Sequence, residues 1–197
     1  MPRDPSDADL IGELTADHLK AQRLFERVRA AAPGSAERKE LTERATVELV
    51  RHGALEKEHL YPVVRERLPG GAEWERRGLA DHAGIERVLE ELERREPAEK
   101  EFDRLLLVLV DRVTAHALEQ EQRLFPRTQA VCPAELLREL GGKVRAGRAA
   151  APTRPRQSPA PRTEPAARPP VPGTGLLDRV RDLLTGRGRG RGRRASG

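Results

Sequence analysis

An internal repeat with a constant offset of 64 residues constrains the fold of this chain more than any other feature of its sequence. The tripeptide Ala-Asp-His at 16–18 returns at 80–82, and HGALEKEHLYP at 52–62 returns as HALEQEQRLFP at 116–126. Apolar residues around these motifs follow one another at spacings of three and four, as in amphipathic helices, and no stretch alternates as a strand would. The repeat therefore predicts two helical hairpins related by an approximate two-fold axis.

Helical periodicity extends over four stretches within residues 1–147. Short segments with helix-breaking proline and glycine separate them, such as Pro33-Gly34 and Pro69-Gly70-Gly71. Short connections place consecutive helices side by side in opposite directions. We predict an all-α fold, an antiparallel up-down four-helix bundle, with helices over about 8–31, 36–67, 73–95 and 98–130.

The composition changes near residue 148, which predicts a bundle domain over 1–147 and a basic tail over 148–197. The tail has twelve arginines and no lysine against three acidic residues, a net charge of +9, so the rest of this chain of net charge +5 carries −4. Its proline, alanine and arginine predict a disordered linker, followed by a possible short helix at 176–184.

The Gly-Arg tract at the end of the tail suggests contact with nucleic-acid phosphates, and a solvated tail without a partner is the alternative. The arginines concerned are Arg187, Arg189, Arg191, Arg193 and Arg194.

Cysteine usage and the lengths of the apolar runs predict a soluble, cytoplasmic protein. The single cysteine, Cys132, excludes an internal disulfide and fits a reducing compartment. The N-terminal segment lacks the apolar core of a secretory signal, and the longest aliphatic run, LLLVLV at 105–110, is too short to span a bilayer. No nucleophile triad or phosphate-binding loop is evident, so the candidate chemistry rests on the histidines.

Four of the five histidines, His18, His52, His82 and His116, lie on the apolar faces of the predicted helices, one on each helix. Burying four unpartnered imidazoles would cost roughly 1–3 kcal/mol each, a large part of the stability of a small domain. A metal ion that binds the ring nitrogens offsets that cost. Glu56 lies four residues after His52 on the same helix face, so both can reach one ion. Imidazole and carboxylate ligands without thiolate favour iron or manganese.

These motifs, in this order, resemble the hemerythrin-like proteins with the HHE cation-binding domain. The resemblance covers about residues 8–145 and rests on the two Ala-Asp-His tripeptides, on His-x3-Glu-x3-Leu-Tyr-Pro and on the final His-x9-Pro. It implies a four-helix bundle around a non-haem di-iron centre, bridged by carboxylates, that binds dioxygen or a related small ligand. The ligands that the resemblance implies are His18, His52, Glu56, His82 and His116.

The chain departs from the family pattern at Gln120, where the resemblance leads us to expect a second bridging glutamate. Glu119 and Glu86, each about one helical turn after a candidate histidine, are possible replacements. Glu121 points away in a regular helix and reaches the site only through a π-bulge. We rank Glu119 and Glu86 ahead of Glu121. Alternatively, Gln120 binds weakly through its neutral carbonyl, and the site holds one metal ion.

Several other residues near the motifs have weaker functional signals. His59 lies on the same predicted face as the first His-Glu pair and is a candidate extra ligand or outer partner, with a surface histidine as the alternative. We expect Tyr61 and Phe125 to pack above the site. Asp17 and Asp81 each precede a candidate histidine and are possible outer partners that accept a hydrogen bond from a neighbouring imidazole. Because adjacent residues face different sides of a helix, solvated aspartates are the favoured interpretation.

The leading functional hypothesis is a hemerythrin-like non-haem iron protein that binds or senses dioxygen, nitric oxide or peroxide. Ligands alone do not decide whether it also turns over a substrate, for example by decomposing peroxide. The alternatives are a degenerate metal-binding bundle that acts as an interaction scaffold, associated with nucleic acid through its tail, and an iron-buffering protein. The oligomeric state does not follow from the sequence.

Overall fold

The computed structural model describes residues 8–155, and within that range the chain is helical between turns and contains no strand. The all-α class predicted from the sequence is therefore confirmed. In chain order the elements are α1 (Leu10–Ala30), α2 (Ala36–Leu55), the π-helical turn π1 (Glu56–Leu60), α3 (Tyr61–Arg67), α4 (Gly71–Glu93), α5 (Lys100–Glu119), the π-helical turn π2 (Gln120–Leu124), α6 (Phe125–Val131) and α7 (Ala134–Gly147). Because α2, π1 and α3 follow without a break, as do α5, π2 and α6, these nine elements make five helical stretches.

Local sequence signals determine where the first helices begin. The side chain of Asp9 accepts a hydrogen bond from the backbone N–H of Gly12 at 2.8 Å, which caps α1. Ser35 caps α2 in the same way. Gly34 and Gly70 have φ angles of 76° and 71°, a left-handed conformation that glycine adopts without a steric clash of a Cβ atom. The turns before α2 and α4 are thus set by the residues that form them.

The fifth helical stretch, α7, is one more than the sequence reading predicted. It packs along α1, with Leu137, Leu140 and Val144 buried at helical spacing. A Cβ atom on Gly141 would lie 2.5 Å from the carbonyl oxygen of Ala8, so glycine there permits the close approach of α7. The prediction of four helices is corrected because this short stretch carries the same apolar period as the long ones.

The chain stays packed beyond the predicted domain boundary at residue 147, since Ala151 and Thr153 are buried. The predicted helix at 176–184 and the five arginines of the Gly-Arg tract lie outside the described residues. Nucleic-acid association through that tract stays a prediction. Among the helices of residues 8–155, none is long and apolar enough to cross a membrane.

The buried apolar residues form two clusters, and the candidate ligand residues lie between them. The first cluster draws on residues within 21–31, 41–50, 85–92 and 102–113, and the second on residues within 10–14, 55–68 and 124–151. Each of the four long stretches carries one histidine where it passes between the two clusters: His18, His52, His82 and His116. The polar residues are thus enclosed by apolar packing on both sides, where electrostatic interactions are stronger than in water.

Candidate metal centre

Glu56 lies at the centre of the candidate site and has no exposed surface. Its Oε1 is 3.2 Å from His52 Nε2, and its Oε2 is 2.7 Å from His82 Nε2 and 3.4 Å from His116 Nε2. Two groups of buried donors share this carboxylate. The first half-site consists of His18, His52 and Glu56, and the second half-site consists of Glu56, His82 and His116.

The donor atoms of each half-site are suitably placed for a cation. They lie within 4.8 Å of one another, whereas an ion with bonds of about 2.1 Å holds its donors within about 4.2 Å, so small side-chain rotations suffice. Among the described residues, the Nε2 atoms of His18, His52 and His116 and the Oε1 atom of Glu56 are buried without a hydrogen bond. Each such atom costs roughly 1–3 kcal/mol, and a bound cation removes that cost. The residues present therefore fit a metal ion.

Two π-helical turns occur at equivalent places of the repeat. Glu56 begins π1, and Gln120 begins π2, 64 residues later. In a π turn the backbone hydrogen bond connects residues i and i+5, whereas in an α-helix it connects i and i+4. This widens the helix and changes the direction of the side chains that follow. In π2 the side chain of Glu121 consequently reaches the site, with Oε1 2.7 Å from His18 Nδ1. Of the three carboxylates considered as replacements, Glu121 alone contacts a candidate histidine, and it does so at the outer nitrogen, outside both half-sites. Which carboxylate completes the ligand set stays a prediction.

The structure does not bring Glu119, Glu86 or His59 into either half-site. Glu119 pairs with Arg77 on α4, and Glu86 pairs with Lys57 at 2.6 Å. Both carboxylates face a cationic side chain in preference to the imidazoles. His59 is buried against α7, because π1 turns it away from the face that carries its neighbours in the site.

Gln120 and Tyr61 close one side of the site. Gln120 is 3% exposed, its Nε2 donates to the Tyr61 hydroxyl oxygen at 3.3 Å, and its Oε1 has no hydrogen-bond donor within the described range. The Tyr61 hydroxyl donates to Glu56 Oε2 at 3.2 Å and lies 3.2 Å from His82 Nε2. Gly78 leaves room for this hydroxyl, since a Cβ atom there would clash with it. Tyr61 therefore contacts two candidate ligand residues in addition to packing above the site. The sequence signal that could have indicated this role is its place in the repeated motif.

Three of the four site histidines have a carboxylate at the outer ring nitrogen, Nδ1. The pairs are Glu121–His18 at 2.7 Å, Asp17–His52 at 3.5 Å and Asp81–His116 at 3.6 Å. The first is a hydrogen bond and the other two are ion-pair contacts. Carboxylates in this position orient the imidazole and leave Nε2 free for a metal ion. The expectation of a solvated side chain is wrong for Asp17, which is 10% exposed.

Residues 9–128, more than half of the chain, match the sequence profile of the hemerythrin HHE cation binding domain. The chain belongs to this family. Among solved structures, it is similar to a hemerythrin HHE cation binding domain-containing protein from Mycobacterium kansasii, with a TM-score of 0.61 and 24% identity. The match covers 72% of this chain and 85% of that one, and indicates a common fold. A comparison with curated proteins finds no match.

In this hemerythrin-family site, burial and carboxylates move the pKa values of the histidines in opposite directions. Burial lowers the pKa of His18 and of His82 to about 4. Burial also disfavours the protonated forms of His52 and His116, but Glu56 and the outer aspartates outweigh it and raise their pKa values to about 10 and about 9. The pKa of Glu56 lies well below its usual range, because the histidines around it outweigh its burial. Glu56 is thus an anion at neutral pH.

A small cavity adjoins both half-sites of the hemerythrin domain. Its volume is about 20 Å³, and it is lined by the four site histidines, by Asp17 and Glu48, and by the apolar side chains of Ala21, Leu49, Ile85 and Val113. This volume accommodates about one molecule of the size of water. The site therefore combines nitrogen donors with an apolar space for a very small ligand.

Proposed function

We propose that this hemerythrin domain binds two iron ions, that His18, His52 and Glu56 would hold one and Glu56, His82 and His116 the other, and that it binds or senses a small ligand such as dioxygen, nitric oxide or peroxide. The observation that carries the proposal is that four buried atoms able to bind a metal ion converge and form no hydrogen bond. They are the Nε2 atoms of three histidines and one oxygen of Glu56. Cys132 belongs to the second apolar cluster, so thiolate does not join the donor set, which favours iron or manganese over structural zinc.

Each half-site offers two imidazoles and one carboxylate oxygen, a donor set that leaves coordination positions open on a non-haem iron ion. Iron bound there would supply electron transfer to, or reversible binding of, the small ligand. The apolar walls of the cavity exclude bulk water from that ligand. The Tyr61 hydroxyl keeps its proton, since burial, with Glu56, raises its pKa, and it serves as a hydrogen-bond donor inside the site.

Gln120 is neutral where the family pattern leads us to expect a glutamate, so one negative charge is missing from the site. The outer carboxylates supply negative charge in its place. Glu56 alone provides one negative charge for two divalent ions. Glu121, Asp17 and Asp81 add three more, each placed behind one imidazole ligand. Carboxylate behind imidazole raises the basicity of the ligand, so these residues support metal binding without touching the ion.

We further propose that the first four helical stretches form an up-and-down bundle around the two ions, with α7 packed on its outside. In this proposal the metal-binding domain of a cytoplasmic protein extends past residue 147, since Arg148 binds Asp17 and Ala151 belongs to the second apolar cluster.

Iron content and visible absorption test the proposed function. The protein is reconstituted anaerobically with ferrous ion and then examined under air and under dithionite. We expect two irons per chain, one for each half-site, and an oxo-bridge absorption band that disappears on reduction. One iron per chain would support the mononuclear alternative. No bound iron and no spectral change on reconstitution would refute the proposal.

A further inference from the structure

The two aspartates that face histidine ring nitrogens from outside the site have unequal surroundings. Asp17 faces His52 and Asp81 faces His116 at nearly the same distance, 3.5 and 3.6 Å, as the 64-residue repeat leads one to expect. The side chain of Asp17 is 10% exposed, however, and that of Asp81 is 46% exposed. The repeat by itself would make the half-sites alike, so the difference comes from what covers them.

Arg148 is the residue that covers Asp17. Its Nη1 donates to Asp17 Oδ1 at 2.5 Å, and its Nη2 donates to Glu13 Oε2 at 2.8 Å. The guanidinium thus joins two carboxylates of α1 in a fork geometry that a lysine does not reproduce. Within residues 8–155, no arginine or lysine forms an ion pair with Asp81.

Helix α7 brings Arg148 to this position. Arg148 directly follows the last residue of α7 and lies 131 residues from Asp17 in the sequence. One turn of α7 earlier, Arg145 Nη1 donates to Glu13 Oε1 at 2.7 Å and to a backbone carbonyl oxygen just before α1 at 2.5 Å. Arg145 therefore fastens α7 to α1 without contacting Asp17, whereas Arg148 does both.

We propose that Arg148 is a positioning residue for the first half-site and gives it a higher metal affinity than the second half-site. The inference rests on the proposed metal-binding function. With Oδ1 held by Arg148, the Asp17 carboxylate presents Oδ2 to His52 Nδ1, and the imidazole keeps its Nε2 directed at Glu56. In the second half-site, the half-exposed Asp81 carboxylate has no arginine at ion-pair distance among the described residues. Its pKa is lowered mainly by His116, and by Arg77 only from farther away.

Arg148 has two opposing effects on a cation in the first half-site. Its positive charge repels the cation, but Asp17 and Glu13 bind the guanidinium directly and largely neutralise it. Its positioning of Asp17 favours the cation, and loss of an outer partner of a ligand typically lowers metal affinity by about 10- to 100-fold. Because Arg148 acts one residue further out, we expect a change of roughly 3- to 30-fold, with positioning as the dominant effect.

Stepwise Co(II) binding to the metal-free full chain, followed by its visible spectrum, tests this inference. We expect the unaltered chain to bind two Co(II) ions with unequal affinities, one for each half-site. Arg148→Gln should weaken the tighter step by roughly 3- to 30-fold and change the spectrum of the first ion, while the weaker step stays unchanged. Arg148→Lys keeps the charge but loses the fork, and should restore only part of the affinity.

Arg145→Gln is the matched control, because it removes the same charge from α7 and the same partner from Glu13 but leaves Asp17 untouched. It should keep both binding steps within about twofold of the unaltered chain. Thermal unfolding of the metal-free variants checks that α7 stays docked in both.

Three results would overturn the inference while the proposed function stands. They are equal affinities for Arg148→Gln and the unaltered chain, tighter binding of the first ion by Arg148→Gln, and equal weakening by Arg145→Gln. The first means that Arg148 does not act on the site, the second that charge repulsion dominates, and the third that α7 docking alone matters. If the unaltered chain binds neither Co(II) nor Fe(II), the proposed function fails as well.

Discussion

Replacing Gln120 with glutamate should act in opposite directions on the metal-free and on the metal-loaded protein. Gln120 is 3% exposed and holds the place in π2 that Glu56 holds in π1. Within the described residues, the one hydrogen bond of its side chain is donated to the Tyr61 hydroxyl oxygen, and its Oε1 has no donor. The Tyr61 proton goes to Glu56, so a carboxylate at position 120 is buried without a donor when metal is absent and lies beside two dications when metal is bound.

The size of both effects follows from burial and distance. Desolvating a carboxylate costs several kcal/mol, and the Tyr61 proton already goes to Glu56, so the metal-free protein should lose about 3–5 kcal/mol of stability. An anion 4 Å from a dication gains about 8 kcal/mol at an effective dielectric constant of about 20. After the same desolvation, the metal-loaded protein keeps a net gain of about 2–4 kcal/mol in stability. Because the metal-free folded protein has already undergone that desolvation, its metal affinity should rise by at least the equivalent of this gain, roughly 30- to 1,000-fold.

Urea unfolding of the chelator-treated protein measures the loss of stability, and anaerobic competition with a colorimetric chelator measures the Fe(II) affinity. Gln122→Glu is the matched control, because this exposed residue of the same π turn undergoes the same change of charge away from the site. Equal affinities for the two variants, or no change in Gln120→Glu, would refute the reasoning. The outer carboxylates of Glu121, Asp17 and Asp81 would then supply the negative charge without help from position 120.

Three further predictions concern the bridging carboxylate, a glycine and the histidines. Glu56→Gln should reduce the iron content to well below one per chain, because both half-sites share this residue, whereas Glu58→Gln, an exposed neighbour, should leave elemental analysis unchanged. Gly78→Ala should lower the free energy of unfolding by about 1–3 kcal/mol, since its Cβ atom clashes with the Tyr61 hydroxyl. Gly142→Ala on α7, whose Cβ atom would meet Arg145 Nη2 at an ordinary contact distance of 3.9 Å, should raise it by about 0.5–1 kcal/mol in urea titrations. In the metal-free protein, His18 and His82, whose pKa values are lowered, add stability above pH 6.5 that is lost as the pH falls towards about 4. His116 and His52, whose pKa values are raised, add stability below pH 6.5 that is lost as the pH rises to about 9 and about 10. The thermal midpoint should therefore be highest near pH 6.5, and a midpoint that rises steadily from about pH 5 to about pH 9 would contradict this account.

The helices could be predicted closely because their signals are local. Proline and glycine stop a helix, and the side chains of Asp9 and Ser35 start one, whatever surrounds them. The predicted ends consequently lie near the observed ends for the four long stretches. Helix α7 was not predicted although its apolar spacing is regular, because the four predicted helices already accounted for the whole 64-residue repeat.

The histidines of the candidate site could also be predicted, but the full set of carboxylates could not. The side chains of His52 and Glu56 share a helix face in any regular helix, so spacing alone places them together. The direction of the Glu121 side chain depends on the π turn, and no residue pattern in the sequence predicts that turn. Glu119 was the better candidate in a regular helix, and its pairing with Arg77 on α4 depends on how the helices pack.

The sequence by itself therefore determined the helical class, the 64-residue repeat and which four histidines lie buried on helix faces, since these follow from short-range sterics and from the period of the helix. Only the tertiary structure decided which carboxylates contact those histidines. A carboxylate pairs with whichever histidine or cationic side chain lies within reach, and that side chain belongs to another helix. The repeat predicts two equal half-sites. The packing of α7, which places Arg148 beside Asp17 and leaves Asp81 half-exposed, makes them unequal.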